Sequence, residues 1–418
     1  MNNFDNWFKV LYGTDETIIN YQINRYLNLS EQYNEVYKSN DEVKYFSAPG
    51  RSELSGNHTD HNGGRVIAAS INLDSIACAA PQNDKIEIFS IGFDEHISVD
   101  LSQLDVIDDE KGTSTGLVRG VAAGFKKRGY EIGGFAAVVS SDVLVGSGLS
   151  SSASFEVLIG VILNHFYNDD KIPMPVVAGI GQFAENEYFG KPCGLMDQVA
   201  CAVGGVVTID FKEKENPVIE MVDFDLSAHG FKLAVVDTGG SHQNLTDDYA
   251  SIPMEMREIA AFFDKENCSQ IDYKEFIAKI PELHNSVSDR AILRALHFFN
   301  ENNRVISQVQ ALLGDNFEEF LKLVNESGDS SFKYLQNIYT PKAPAEQPLS
   351  LALAITESFI KVNEIGACRV HGGGFAGTIL VFLPEQFIEE YKKLIEPVFG
   401  NNSVAVLDIR NTGAVVLD

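Results

Sequence analysis

A loop rich in glycine and serine, set between two apolar runs, constrains the fold of this chain more than any other stretch. The loop, from Val145 to Ser154, has the sequence VGSGLSSSAS; a strand-like run covers residues 134–140 and a helix-like run covers residues 155–166. A strand, a loop and a helix in this order direct backbone N–H groups and the positive end of a helix at an anion. The glycines let the backbone approach phosphate oxygens, and the serines cap the helix or bind phosphate and metal. The pattern fits a phosphate-binding loop or an ordinary capped turn, but not a Walker loop, because no lysine lies nearby.

A second unusual stretch is the run RSELSGNHTDHNGG, residues 51–64, between two apolar runs. Each of its polar groups would cost about 1–3 kcal/mol if it were buried without a partner. Three interpretations stay open, namely a solvated turn, a zinc site and a site for a hydroxyl-rich ligand. A zinc site would use His58, Asp60 and His61, but no HExxH helix or matched cysteine pair supports it. The mixture of donors and acceptors suits a sugar ring.

Two acidic residues lie in an otherwise apolar region that follows the loop. Glu185 falls in a run predicted as one helix over residues 174–189, and Asp197 falls in the first turn of the next helix. The positive end of that helix stabilises an ionised carboxylate. Acidic residues at helix starts are also common for purely structural reasons, so position alone leaves the role of Asp197 open.

Length and composition exclude several classes of protein. A chain of 418 residues is too long for one ordinary core, so we expect two domains, residues 1–220 and 221–418, with a charged linker near residues 212–230. The 32 basic and 59 acidic residues give a formal net charge of −27, which argues against a nucleic-acid partner. The five cysteines are scattered and form no CxxC pair, which argues against a disulfide framework. Without a signal peptide or an apolar run of membrane length, we expect a cytoplasmic protein.

Apolar periodicity predicts a mixture of helices and strands. The first 40 residues are predicted to be helical, and a short strand over residues 44–48 is predicted to end at the Pro49–Gly50 turn. The second half is predicted to be more helical. There the glycine cluster Gly372–Gly374 is typical of a tight turn before a strand.

The motifs, taken in their order, resemble the signatures of the GHMP kinase superfamily and, within it, of the galactokinases. The signature GR-x-N-L-I-G-E-H-T-D-Y-N-G is matched by GRSELSGNHTDHNGG, the phosphate loop by GSGLSSSAS, the catalytic segment by AENEYFGKPCGLMDQ and the late glycine motif by RVHGGGFAG. His242 and Tyr249 fit the His-and-Tyr spacing of the family. The resemblance implies an α+β, two-domain GHMP kinase fold. Its N-terminal domain would resemble ribosomal protein S5 domain 2, and its C-terminal domain would be ferredoxin-like.

The resemblance also implies a role for each matched residue. It implies that Asp197 orients or deprotonates the acceptor hydroxyl, and that Arg51 keeps this carboxylate ionised and stabilises the transferring group. It implies that Ser152 and Glu185 bind Mg²⁺. The residues implied to line the sugar pocket are Asn57, His58, Asp60, Gly194 and Tyr249. Those implied to bind ATP are Gly146, Ser147, Gly148, Leu149, Ser150, Ser151, Ser152 and Ala153.

The implied function is an ATP- and Mg²⁺-dependent sugar-1-kinase, a phosphotransferase acting on the anomeric hydroxyl of galactose or a related sugar. We expect a monomer without nucleic-acid or membrane partners. Several departures from the family concern the sugar. Asn57 stands where the family has Glu, Glu53 where it has Asn, and His61 where Tyr is usual, and the paired arginines after Tyr249 are replaced by Ile252 and Pro253. An amide donates to a carboxylate that a Glu would repel, so a kinase for a uronic acid, an N-acetylhexosamine or a C6-modified sugar is the alternative. A non-catalytic sugar and ATP sensor is the alternative from another class, and the complete phosphate loop argues against it.

Overall fold

The computed structural model describes residues 4–39, 41–93, 96–143, 146, 148–213, 216–240 and 245–417. Ser147 and His242, both named above, lie outside the described residues. The helices described are α1 (Phe4–Tyr12), α2 (Glu16–Tyr37), α3 (Ser114–Lys127), α4 (Ser151–Asn168), α5 (Met174–Phe183), α6 (Met196–Val203), α7 (Thr246–Phe262), α8 (Tyr273–Leu283), α9 (Asp289–Leu313), α10 (Phe317–Ser330), α11 (Pro348–Asn363) and α12 (Ile388–Phe399). The strands described are β1 (Lys44–Ser55), β2 (Arg65–Gln82), β3 (Lys85–Ser90), β4 (His96–Asp100), β5 (Gly134–Ser141), β6 (Val206–Asp210), β7 (Val218–Val222), β8 (Phe231–Asp237), β9 (Ala367–His371), β10 (Thr378–Pro384), β11 (Val404–Leu407) and β12 (Val415–Leu417).

The larger sheet has the strand order β12-β1-β2-β5-β3-β4, and β6 pairs with both β2 and β7. Alternation along β2 divides its side chains between two cores. Ala77 and Ala79 pack with α3 to α6 on one face. Ile76 and Cys78 pack with α1 and α2 on the other face. This period of two is the one that a strand buried on both faces requires.

The smaller sheet is antiparallel, in the order β11-β8-β10-β9. Ala234 and Val236 of β8 pack against α11 and α12. Leu233 and Val235 face the other way and share a core with Ile67 of β2 and with α9 and α10. The two sheets are therefore joined by packed side chains, which fixes the glycine loop at the end of β9 against the larger sheet.

The predicted division into residues 1–220 and 221–418 stays a prediction, although two elements cross it. Strand β7 spans the proposed boundary and pairs with β6 of the larger sheet. Strand β12 returns from the C-terminal part and pairs with β1, with Tyr45 opposite Leu417. The charged run near residues 212–230 is therefore not a plain linker, because it contains a strand.

Several predicted boundaries were wrong. The strand predicted to end at Pro49–Gly50 continues to Ser55, because β1 absorbs these residues with a register shift between Pro49 and Arg51. Bulges tolerate proline and glycine that a regular ladder would not. The helix predicted over residues 174–189 is α5 followed by a π-helical turn, Ala184–Phe189. None of the helices among the described residues has the length and apolarity needed to cross a bilayer.

A fully buried carboxylate, Asp74, ties the larger sheet to the elements at both ends of the chain. Arg25 of α2 donates to its Oδ1 at 2.8 Å, and Arg410, before β12, donates to its Oδ2 at 3.1 Å. Tyr12 and Ser47 donate to Oδ2 at 2.6 and 2.5 Å. Burial raises the pKa of Asp74, but the two guanidinium groups and the hydroxyls outweigh it and hold the pKa below its ordinary value.

Candidate active site

The glycine and serine loop leads directly into α4, as the sequence pattern predicts. Gly146 and Gly148 have φ angles of 80° and 74°, a region that favours glycine. Ser150 also adopts a left-handed conformation, with φ 58°, at the residue before α4. Its hydroxyl donates a hydrogen bond to Oδ2 of Asp197. A strained serine held in this way is typical of a functional site.

Arg51 holds Asp197 in place with two parallel hydrogen bonds. Nε donates to Oδ1 at 2.7 Å and Nη2 donates to Oδ2 at 2.6 Å. The remaining Nη1 donates to the carbonyl of Gly148, so one guanidinium connects the carboxylate to the phosphate loop. The side chain of Arg51 is 8% exposed, whereas that of Asp197 is 28% exposed. The carboxylate is therefore accessible at its free edge while its partner is buried.

The local charges keep Asp197 ionised. Burial raises the pKa of this carboxyl, but the charge and hydrogen bonds of Arg51 outweigh it, with help from Ser150 and Lys191, so the pKa lies below its ordinary value. Asp197 also lies in the first turn of α6, where the helix dipole favours an anion. At neutral pH the residue can accept a hydrogen bond but cannot donate one.

Glu185 is the second carboxylate of the site and lies in the π-helical turn. Its Oε1 accepts hydrogen bonds from Ser152 Oγ at 3.1 Å and from Lys191 Nζ at 3.2 Å. Its Oε2 accepts from Gln198 Nε2 at 2.9 Å. A single turn of π-helix is often found at functional sites because it redirects one side chain. The result is that Ser150 and Ser152, both at the start of α4, contact different carboxylates.

Gln198 connects Glu185 to a third acidic residue, Glu156, which is buried in α4. The same Nε2 donates to Oε2 of Glu156 at 3.0 Å. Burial, and then the charge of Glu185, raise the pKa of Glu156 well above its ordinary value. Both effects favour the neutral, protonated form of Glu156.

A hydroxyl and a carboxylate 3.1 Å apart are hard oxygen donors of the kind that suit Mg²⁺. Mg²⁺ is commonly held by one or two carboxylates together with phosphate oxygens and water, rather than by a complete protein cage. Within the part of the chain that the structure describes, no group of three His, Cys, Asp or Glu residues could hold a metal ion. The residues Ser152 and Glu185 thus fit a magnesium ion shared with a nucleotide.

The residues predicted to line a sugar pocket contact two segments, the one just before α6 and the loop Gly372–Gly374. Asp60 packs so closely on Gly194, just before α6, that a side chain at residue 194 would overlap its carboxylate. Tyr249 of α7 donates to the carbonyl of Gly374 at 2.9 Å. His58, with φ 59°, shares a hydrogen bond of 2.9 Å with the carbonyl of Gly373.

Asn57 is 1% exposed, and its amide is already bonded within the protein. Nδ2 donates to Glu53 Oε1 at 3.1 Å and to the carbonyl of Gly372 at 2.7 Å. Oδ1 accepts from Asn337 Nδ2 at 2.8 Å. The idea that this amide donates to an acidic sugar therefore requires it to give up a bond to the protein.

Sequence reasoning did not assign roles to Lys191, Gln198 or Asn337. The first two lie in the segment AENEYFGKPCGLMDQ, so their closeness in sequence to Glu185 and Asp197 could have indicated them. Asn337 gave no signal, because it follows α10 after a π-helical turn and reaches Asn57 only through the fold.

Two buried histidines make stability depend on pH. Burial lowers the pKa of His58 to about 4, and burial, followed by the charge of Arg51, lowers that of His371 to about 3. In the unfolded chain these histidines bind protons near pH 6.5, whereas in the folded chain they do not. Above pH 6.5 they therefore do not reduce the free energy of unfolding, and below it that free energy decreases as the pH falls.

Substituting His371→Gln should therefore reduce the loss of unfolding free energy between pH 7 and pH 5 by about 2 kcal/mol. Urea titrations of both proteins at both pH values measure this difference. The exposed His284 supplies the control, since His284→Gln makes the same substitution outside the core. An identical loss in the wild type and in the His371 variant would contradict the burial of a neutral imidazole.

The fold and the site together define a GHMP kinase. The family model described as GHMP kinases N terminal domain matches residues 116–205, which include the phosphate loop, Glu185 and Asp197. A mevalonate kinase of Methanococcus jannaschii superposes with a TM-score of 0.61 at 17% identity, covering 89% of this chain and 99% of that chain. The predicted α+β GHMP kinase fold is thereby confirmed.

The chain belongs to the galactokinase family. A galactokinase of Glaesserella parasuis is 30% identical over 355 residues, covering 83% of this chain and 87% of that protein. The model described as galactokinase galactose-binding signature matches residues 31–81. The crystal structure of Lactococcus lactis galactokinase complexed with galactose superposes with a TM-score of 0.79 at 26% identity, covering 94% of this chain and 99% of that chain.

Proposed function

We propose that the protein transfers the terminal phosphoryl group of ATP to the anomeric hydroxyl of galactose. The observation that carries the proposal is the contact of Arg51 with both Asp197 and the carbonyl of Gly148. This contact joins an ionised acceptor of hydrogen bonds to the loop that would bind the phosphates. Membership of the galactokinase family supports galactose as the acceptor.

In the proposed reaction the protein positions two reactants and stabilises charge, with little covalent chemistry of its own. The N–H groups at the start of α4 hold the phosphates, with the helix dipole assisting. Asp197 accepts a hydrogen bond from the acceptor hydroxyl, orients its oxygen toward the terminal phosphorus and takes its proton. The new O–P bond forms as the bond from that phosphorus to the bridging oxygen of ATP breaks and ADP leaves. Arg51 keeps this carboxylate ionised and carries positive charge next to the group in transfer.

Ser152 and Glu185 are the residues that would hold Mg²⁺. Bound there, the ion would neutralise charge on the phosphate oxygens. Gln198 fixes the far oxygen of Glu185, so that the oxygen near Ser152 is directed at the loop.

We assign His58, Asp60, Gly194 and Tyr249 to the sugar pocket. Asp60 supplies a carboxylate that accepts two hydrogen bonds from neighbouring hydroxyls, and Gly194 allows its close approach. The bonds of Asn57 to Glu53 and Gly372 remove the reason for an acidic sugar. A non-catalytic sensor is disfavoured because Arg51, Asp197, Ser152 and Glu185 are present and in contact.

A panel of sugars tests the proposal through ATP consumption in the presence of Mg²⁺. We expect kcat/KM for galactose to exceed that for glucose, galacturonate and N-acetylgalactosamine by at least about 10-fold. Phosphorus NMR of the product should show coupling to the anomeric proton. Phosphate on another carbon, or a preference for galacturonate, would contradict the proposal. A reaction without sugar and one with EDTA are the controls.

A further inference from the structure

The loop Gly372–Gly374 joins β9 to β10, and its three successive carbonyl groups all accept hydrogen bonds from side chains of other segments. A side chain at residue 373 would approach the ring of Tyr249 to 2.6 Å, so glycine permits this closeness. The donors are Asn57 to Gly372 at 2.7 Å, His58 and Asn337 to Gly373 at 2.9 and 3.1 Å, and Tyr249 to Gly374 at 2.9 Å.

Two of these donors, His58 and Tyr249, are residues that we assign to the sugar pocket. The loop therefore borders the pocket and is fixed by the side chains that form it. The backbone just after the loop is also bonded, since the N–H of Phe375 donates to the carbonyl of Asn337. These contacts therefore couple the position of the loop to the shape of the pocket.

The amide of Asn57, which donates to the carbonyl of Gly372, also contacts a buried charge pair. Glu53 Oε1 accepts from Arg369 Nη2 at 2.7 Å and from Asn57 Nδ2 at 3.1 Å. The exposed fractions are 6% for Glu53, 1% for Asn57 and 0% for Arg369. A carboxylate this deeply buried needs its cation, because removing one member of such a pair leaves an uncompensated charge.

The signature of the family has Asn at the position of Glu53 and Glu at the position of Asn57, so this chain carries the two residue types exchanged. In this chain the two residues share a hydrogen bond, and the carboxylate lies beside Arg369. It also places an amide opposite the carbonyl of Gly372. A carboxylate at residue 57 would face that carbonyl with no hydrogen to donate.

We propose that Asn57 is a positioning residue that latches the glycine loop over the sugar pocket, and that the Glu53–Asn57 exchange creates this latch. The proposal rests on the proposed function only for its kinetic consequence. The latch keeps the pocket formed before the sugar binds, so it lowers the KM for the sugar and leaves kcat almost unchanged.

Two isosteric variants separate the latch from simple stability. Asn57→Asp removes both donors and adds a second carboxylate beside Glu53. The double variant Glu53→Gln/Asn57→Asp returns one carboxylate and one amide to the pair with their order reversed, but it still offers no hydrogen to Gly372. Thermal unfolding, hydrogen exchange of the Phe375 and Ala376 amides, and galactose kinetics are measured for both variants and for the wild type.

We expect Asn57→Asp to unfold at a lower temperature, to exchange these amides about 10-fold faster and to raise the KM for galactose about 10-fold. The kcat should stay within about 3-fold. The double variant should recover only the part of the thermal stability that repulsion between the two carboxylates removes, because Arg369 then faces an amide at residue 53. Its exchange rate and KM should stay high.

A double variant that recovers stability, exchange rate and KM together would overturn the proposal, because a purely structural pair predicts that result. Wild-type exchange rates in Asn57→Asp would overturn it as well. If Asn57→Asp does not fold, the double variant alone decides between these outcomes. Hydrogen exchange needs no substrate, so it tests the latch even if galactose is not phosphorylated and the proposed function fails.

Discussion

Replacing Asp197 by Asn should lower kcat at least about 10³-fold. The amide cannot take a proton from the acceptor hydroxyl, and it cannot accept from Arg51 and Ser150 together without turning its own N–H groups toward a donor. The phosphate loop does not depend on this carboxylate for its backbone N–H groups. Nucleotide binding should therefore change by less than about 10-fold, and the loss should appear in the chemical step.

Steady-state kinetics with galactose, together with nucleotide titration by calorimetry, measure the two effects. Asp210, which forms an ion pair with Arg65 at 2.5 Å outside the site, provides the matched control. Asp210→Asn removes a carboxylate from an arginine in the same way and should keep wild-type turnover. Turnover within 10-fold of the wild type in the Asp197 variant would remove Asp197 from the mechanism.

Replacing Asp74 by Asn should destabilise the fold by about 3–5 kcal/mol. Arg25 and Arg410 are buried against this carboxylate; Arg410 would lose its counter-charge, and Arg25 would keep only the partly exposed Asp142. Tyr12 and Ser47 would also lose an acceptor. Because the carboxylate of Asp74 bonds to Tyr12, Arg25, Ser47 and Arg410 and not to the residues of the candidate active site, kcat at a temperature where the variant is folded should be nearly unchanged.

Urea denaturation of the variant and the wild type measures this effect. Asp142 is the matched control, since it contacts the same Arg25 at 3.0 Å but its side chain is 21% exposed. Asp142→Asn should cost only about 1 kcal/mol, as expected for a partly solvated pair. Equal losses from the two variants would show that burial of the network does not govern its strength.

Much of the secondary structure follows from apolar periodicity, and the family follows from the motifs in their order. Periodicity could not predict where a strand contains a bulge or where a helix contains a π-helical turn. Taken alone, Pro49–Gly50 predicts a turn. Because β1 pairs with β2 on both sides of these residues, a bulge costs less free energy than ending the strand there. The turn that carries Glu185 has the same apolar content as a regular helix, so only packing distinguishes a π-helical turn.

The candidate site was predictable where its residues are close in sequence and hidden where the fold brings them together. Ser150, Ser152, Glu185 and Asp197 lie in motifs whose order alone indicates a site, and their roles stay a prediction. The role of Asn57 could not be derived from its residue type, because its partners Gly372 and Asn337 are about three hundred residues away. In the fold the amide of Asn57 bonds to protein groups through both its oxygen and its nitrogen.

The pairing of β12 with β1 has a consequence for how the protein is made. A ribosome that has synthesised the first 400 residues has produced β1 but neither its neighbour β12 nor Arg410. Until residues 410–417 leave the exit tunnel, one side of β1 is unpaired and Asp74 has only one of its two cations. We expect the nascent larger sheet to stay open and sensitive to proteases during translation, and to close as a late step of folding.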